Sequence, residues 1–398
     1  LPEPVEKKSE LHGATKLAVD AIIEVTDLVE AVHHTTSTLG GLLSWSENQR
    51  MWGISGFVYG NIRRITRLVG SGVDLGLQPL VDRIDQTEAS PARESVIAAV
   101  NGVIGDYLVE TDNPLAIPME FRRERKTIRI DDGELQGDGP TSNKILVLLH
   151  GSCASDHHWT RNGHNHAERL AEEFGYWPVH LRYNSGLHIS ENGRAFAGKL
   201  QELVDVLPED VELTFLGHSM GGLVARSAYH YATQAGYDWV DRLQKLVCLG
   251  APHHGSPLER YGNWVDTLLQ ISPYSAPFAR LGRIRSAGVT DLRYGNLVDE
   301  DWEGRDRFEK TDDLRTPVPL PEDVECYAAA ARLAESDTEN WNGVGDGLVP
   351  VESALGHHEN PDFELGFPEP HQAVFGGIGH LDLLDDPRVY DQVKTWLS

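Results

Sequence analysis

The apolar run Val211-Glu212-Leu213-Thr214-Phe215-Leu216 ends in Gly217-His218-Ser219-Met220-Gly221, and a helix-like stretch from Leu223 to Tyr231 follows at once. A buried strand that turns into a helix through glycines on both sides of a serine leaves little choice of architecture. Glycines permit a turn tighter than residues with a Cβ allow, and the serine between them is held strained, its hydroxyl above the sheet edge. A strand–turn–helix unit with Gly-x-Ser-x-Gly at the turn presents that hydroxyl as a nucleophile. The pentapeptide is short, and the chain has 39 glycines, so the surrounding sequence must carry the reading.

That context is an alternation of strand and helix patterns. From about residue 125, strands are expected over 126–130, 144–149, 177–183, 211–216, 243–249, 324–330 and 372–375. Helices are expected between them, over about 161–174, 193–206, 220–235 and 388–397. The alternation predicts an α/β class and a mainly parallel sheet flanked by helices. Upstream the pattern is helical only. Leu17, Ala21, Val25, Leu28 and Val32 recur at three and four, further helical stretches are expected near 47–69 and 77–84, and Ser90-Pro91 opens another helix running to about residue 109. The segment Trp52 to Gly60, followed by Arg63, Arg64 and Arg67, mixes glycines with aromatics; close helix packing explains it better than docking to lipid. The chain of 398 residues thus divides into a helical N-terminal region, 1–119, and an α/β domain, 120–398. Within the latter, an insertion at about 255–321 carries Tyr261, Trp264, Leu268, Leu269, Tyr274 and Phe278 at helical spacing. It is expected to cap the serine, with Trp264 and Leu268 lining the pocket.

Three segments turn the serine into a candidate nucleophile. Lys144 to Leu149 reads as a buried parallel strand ending in His150-Gly151-Ser152, a turn whose backbone N–H groups could hold an oxyanion. The N–H groups of Ser152 and Met220 are the two candidate donors. Gly345-Asp346-Gly347-Leu348-Val349-Pro350, after a late apolar run, offers a loop carboxylate. Gly379-His380-Leu381, near the end of the chain, offers a loop imidazole. The order Ser219, Asp346, His380 is that of the α/β-hydrolase fold, whereas chymotrypsin-like and subtilisin-like chains use other orders. His188, just past a strand end, is a further candidate pocket residue.

These segments, together with Leu249-Gly250-Ala251-Pro252-His253-His254-Gly255 and Ser353-Ala354-Leu355-Gly356, resemble the α/β-hydrolase superfamily, specifically bacterial lipases and carboxylesterases. The resemblance covers roughly residues 120–398, and its motifs occur in order. It implies an α/β-hydrolase fold with a helical cap insertion, a triad of Ser219, Asp346 and His380, and oxyanion donors at Ser152 and Met220. It implies cleavage of carboxylic esters of short to medium acyl chain, including glycerides or aliphatic polyesters. The alternative is a thioesterase, amidase or acyltransferase using the same triad, with the N-terminal helices as a lipid- or polymer-docking module. Some lipases of this type hold a structural calcium near the catalytic histidine. Asp382 is placed for that, but no full ligand set matches, so no metal and no cofactor are expected.

Composition sets the remaining bounds. A formal charge of −26 disfavours nucleic acid and simple electrostatic attachment to anionic lipid. No apolar run is long enough to predict a transmembrane segment. The three cysteines, Cys153, Cys248 and Cys326, cannot all pair, and Cys248 and Cys326 fall in expected strands as buried thiols. That usage and the absence of a signal-like opening suggest a cytoplasmic protein, while a start at Leu rather than Met leaves trimming, and so a secreted protein, open. His157, His158, His164 and His166 lie close in sequence but lack a metal-binding spacing, so they are read as part of a polar loop and helix start.

Overall fold

A computed structural model describes residues 91–131, 133–136, 139–256, 285–307, 313–335 and 345–398. The chain separates into two compact units, Leu1–Arg93 with Pro277–Leu281, and Glu94–Ala276 with Gly282–Ser398. The expected helices before residue 91, and Trp264 and Leu268 of the insertion, lie outside the described residues. The architecture below is that of the second unit.

Ten strands are present among the described residues: β1 (Glu120–Arg123), β2 (Lys126–Thr127), β3 (Arg129–Asp131), β4 (Glu134–Gln136), β5 (Lys144–Leu149), β6 (Trp177–Arg182), β7 (Glu212–His218), β8 (Leu243–Leu249), β9 (Glu325–Arg332) and β10 (Gln372–Gly376). Eight form one sheet in the order β10-β9-β8-β7-β5-β6-β1-β2, while β3 and β4 make a separate hairpin. All neighbours from β10 to β6 run parallel; β1 is antiparallel to both β6 and β2. The longer helices are α1 (Pro91–Glu110), α2 (His166–Phe174), α3 (Ile189–Val204), α4 (Met220–Ala235) and α5 (Pro387–Leu397).

The central strands read as continuous apolar runs because both faces of the sheet are covered, as a parallel sheet with crossover helices requires. Successive side chains of β7 alternate between the two cores. Phe215 packs with Phe196 of α3 at 5.4 Å and with Trp239 at 5.6 Å. Leu216 joins the opposite cluster, with Leu170 of α2 and Val389, Tyr390 and Val393 of α5. The chain leaves β5 for β6 on one side, then returns to place β7 on the other side of β5. Such a reversal opens a crevice at the carboxyl ends of the strands. Leu149 is level with Gly217 across it, so the loops after β5 and β7 emerge side by side.

Departures from the expected elements have local causes. β1 was not foreseen, because Glu-Phe-Arg-Arg has one apolar residue. It forms because Phe121 pairs with Leu181 and its charges enter a largely buried network, Arg182 with Glu94 at 2.8 Å and Arg122 with Asp156 at 3.0 Å. The expected strand 126–130 is instead two short strands, β2 and β3, in different sheets. α2 starts at His166 rather than at 161, because the Asn165 side chain caps it by accepting from the N–H groups of Ala167 and Glu168. α3 begins at Ile189, four residues before the expected start at 193. The compact unit begins at Glu94, so most of α1, assigned from the sequence to the N-terminal region ending at 119, belongs to the same unit as the sheet. Among the described residues no helix is long and apolar enough to cross a membrane.

Candidate active site

Ser219 stands at the junction of β7 and α4 with φ 55° and ψ −125°, a conformation that L residues rarely adopt. Two features hold it there. Its N–H donates to the Leu249 carbonyl at 2.8 Å and its carbonyl accepts from Gly222 at 3.0 Å. The flanking glycines give the turn room: a Cβ on Gly221 would stand 2.1 Å from the Leu149 oxygen, and one on Gly217 2.6 Å from the Gly222 nitrogen. The backbone strain, of order 1–3 kcal/mol, is thus imposed by sheet and helix together.

Asp346 and His380 come from the loops flanking β10. The backbone N–H of His380 donates to the Asp346 carbonyl at 3.0 Å, and Nδ1 of the ring lies 2.7 Å from Asp346 Oδ2. Oδ1 of the same carboxylate accepts from the N–H groups of Leu348 and Val349 at 2.9 and 2.7 Å. A carboxylate only accepts, so Nδ1 carries a proton in this contact, which leaves Nε2 as the nitrogen that can accept one. Ser219, Asp346 and His380 are 3%, 3% and 2% exposed, so the charge–imidazole contact is shielded from water.

Ser219 and His380 line one cleft, with His150, Gly151, Ser152, Cys153, Ala154, His158, Trp159, His218, Leu381 and Leu384, around about 540 Å³ of space open to solvent. Met220 is the first residue of α4, so its N–H has no acceptor within the helix. The turn after β5 is fixed peptide by peptide. His150 Nδ1 donates to the Gly151 carbonyl at 2.8 Å, and the Cys153 N–H donates to Ser185 Oγ at 3.0 Å. The two peptide planes that meet at Ser152 are therefore both tied. Burial pushes His150 and His158 down to about 4 and His218 well below its ordinary range, so these rings are neutral at pH 7. Burial also pushes the Cys153 thiol up to about 12, far from a reactive thiolate. Cys248 and Cys326 are likewise buried and unpaired by disulfides.

Of the sequence candidates, Ser219, His380 and Ser152 line this cleft, Met220 follows Ser219 as the first residue of α4, and Asp346 contacts the imidazole. His188 instead lines a second cavity with Asp291, Tyr294 and Trp302, stacks on Trp302 at 3.8 Å and places Nδ1 3.0 Å from Asp291 Oδ2. The same carboxylate receives the Ile189 N–H at 2.9 Å, at the start of α3.

Asp382 faces a guanidinium. Arg161 lies 3.3 Å from Asp382 and 3.1 Å from Asp385, and the other oxygen of Asp382 accepts from the Gly379 N–H. His166 Nε2 donates to the Leu383 carbonyl at 3.0 Å, and His164 meets His166 at 2.7 Å. The loop that looked histidine-rich is in this way stitched to the His380 loop, and no cluster with the makings of a metal site occurs among the described residues. Sequence reasoning missed Trp159, Leu381 and Leu384 as cleft residues and Arg161 as a strap. Only the neighbourhood of Leu381 and Leu384 to His380 could have signalled any of them.

The parallel sheet, the strained serine after its central strand and the histidine and acid loops that follow are arranged as in the α/β-hydrolase fold. Residues 199–317 match the family described as PGAP1-like alpha/beta domain. Among solved structures, the mature lipase BlEst2 of Bacillus licheniformis is 18% identical, with 66% of this chain and 95% of that one covered at a TM-score of 0.43. The product of lin2722 from Listeria innocua is 16% identical, covering 64% and 94% at 0.36. Phospholipase PlaB from Legionella pneumophila is 16% identical, covering 53% and 45% at 0.34. No curated protein matches the chain in sequence.

Proposed function

We propose that the protein hydrolyses carboxylic esters through an acyl-enzyme on Ser219. The observation that carries this reading is the 2.7 Å contact of His380 Nδ1 with a buried Asp346, whose imidazole borders the same cleft as the strained serine. Ser219 Oγ attacks the ester carbonyl and its proton passes to His380 Nε2. Asp346 fixes the tautomer and stabilises the imidazolium. The backbone N–H groups of Ser152 and Met220 receive the oxyanion, each contributing about 3 kcal/mol to the barrier reduction. Collapse breaks the C–O bond and returns the proton to the leaving alcohol. Water, deprotonated by His380, then releases the acid.

Trp159, Leu381, Leu384 and Ala154 give the cleft apolar walls, which suits an acyl chain of short to medium length. Hydrolysis of an oxygen ester is the reading adopted. The test is p-nitrophenyl esters of increasing chain length plus one emulsified triglyceride, offered to the intact protein and to Ser219→Ala. Turnover should vanish in a folded Ser219→Ala protein and peak at short to medium chains. Near wild-type turnover by that variant would remove the assignment.

A further inference from the structure

Helix α1 lies upstream of every segment that carries the hydrolase motifs, yet it touches the turn that presents the Ser152 N–H. The contact is made at a glycine. A Cβ on Gly102 would stand 2.3 Å from Cys153 Sγ, 2.7 Å from Cys153 Cα and 2.8 Å from its backbone nitrogen. Cys153 itself holds φ 57°, a left-handed conformation uncommon for a residue with a Cβ, and one that persists only where the surroundings impose it. Two restraints impose it: the bond from its N–H to Ser185 Oγ and the helix backbone seated against it.

The helix is shaped for this contact. Ile104, with φ −136° and ψ 24°, breaks the helical path between Gly102 and Gly105. The carbonyls on either side of the break are taken up from outside the helix, Gly102 by Ser286 Oγ at 2.7 Å and Gly105 by Asn184 Nδ2 at 2.9 Å. Asn184 directly precedes Ser185, so the kink anchors the segment that holds the Cys153 N–H. Ser286, Gly102 and Cys153 thus form a buried chain of contacts from the insertion to the oxyanion turn.

We propose that α1 is a positioning element of the oxyanion hole: the missing side chain of Gly102 lets the kinked helix press on Cys153 and fix the direction of the Ser152 N–H. This rests on the reading of Ser152 as an oxyanion donor. A helix that only fills space would contribute stability alone. One that fixes the donor contributes to the stabilisation of the tetrahedral intermediate, which acts on kcat rather than on substrate affinity.

The experiment measures kcat, KM and thermal midpoint on a soluble ester for Gly102→Ala, Ser286→Ala, Leu108→Ala and Ser219→Ala. It adds the affinity of each for a trifluoromethyl ketone, whose adduct with the serine carries an oxyanion. Gly102→Ala should lower kcat by about tenfold or more at little-changed KM, and lower inhibitor affinity by a similar factor. Ser286→Ala, which removes an anchor without adding bulk, should lose both in parallel by a smaller factor. It serves as the test if Gly102→Ala does not fold. Leu108→Ala, in the buried end of α1 away from Cys153, should lower the thermal midpoint but keep kcat per folded molecule. Unchanged kcat and inhibitor affinity in folded Gly102→Ala or Ser286→Ala, or equal losses in Leu108→Ala, would overturn the proposal while leaving the serine mechanism standing. Retained turnover in Ser219→Ala would instead overturn the mechanism on which it rests.

Discussion

At the scale of single residues, the candidate site depends on groups held in place by what they touch. Asp346 has each oxygen committed, one to two backbone N–H groups and the other to the imidazole. Asp346→Asn keeps the shape but presents an amide where Nδ1–H needs an acceptor, which favours the other tautomer. We expect kcat to fall by about 10⁴-fold with KM little changed, checked by steady-state kinetics on a soluble ester. His150 tests the neighbouring turn. Its Nδ1–H holds the Gly151 carbonyl and its ring stacks on Tyr183 at 4.2 Å. His150→Phe keeps the stacking and loses the hydrogen bond, so kcat should drop by roughly 10- to 100-fold while the thermal midpoint moves little. A large loss of stability with full activity per folded molecule would show that the ring only packs. Gly250 is the tight spot on the imidazole side. Its φ is 60°, and a Cβ there would stand 2.7 Å from Leu383 Cδ1 and 3.1 Å from His380 Cε1. Gly250→Ala should therefore cost about 1–3 kcal/mol in chemical denaturation and displace the ring, with activity falling further than stability.

At the scale of elements, the loops that carry the chemistry are tied to one another as well as to the sheet. Arg161, in the segment between the oxyanion turn and α2, reaches both Asp382 and Asp385 beside His380. The guanidinium is about a third exposed, so solvent screens the pair and its worth to global stability is below about 1 kcal/mol. Its effect on the imidazole loop is the measurable quantity. Arg161→Met should lower kcat several-fold with the unfolding midpoint nearly unchanged, and Arg161→Lys should restore part of the rate. Equal kcat in all three proteins would sink this role. Elements also show where sequence patterning stops. β5, β7 and β8 were legible because a strand buried on both faces must be apolar throughout, and the helix after Ser219 was legible from its glycine turn. β1 was not, since its charges are satisfied by Glu94, Asp156 and Arg182, residues distant in the chain.

For the molecule as a whole, histidine burial predicts the acid response. His150, His158, His166 and His180 are held near 4 in the folded state by burial, against 6.5 when unfolded. Between those values the unfolded chain binds more protons, so stability rises with pH across that window and is lost as pH falls from about 6.5 towards 4. Each ring can contribute a slope of up to about 1.4 kcal/mol per pH unit there. Denaturant midpoints measured at pH 7.5, 6 and 5 should fall steeply over the last two. A flat profile would mean that these rings admit water.

The sequence by itself determined the class of fold and singled out Ser219, Asp346 and His380 as candidates, because both follow from local rules. Strand and helix periods are short-range, a glycine-bracketed serine declares its turn, and the order of Ser219, Asp346 and His380 along the chain restricts the topology. Tertiary structure alone decided which groups hold those members in place. His188 met the Asp291 carboxylate at the start of α3, Asp382 met a guanidinium, and α1 came against Cys153. Each of those outcomes is a contact between residues far apart in the chain, settled by which buried donors, acceptors and missing side chains the fold brings within reach, and no local pattern encodes that.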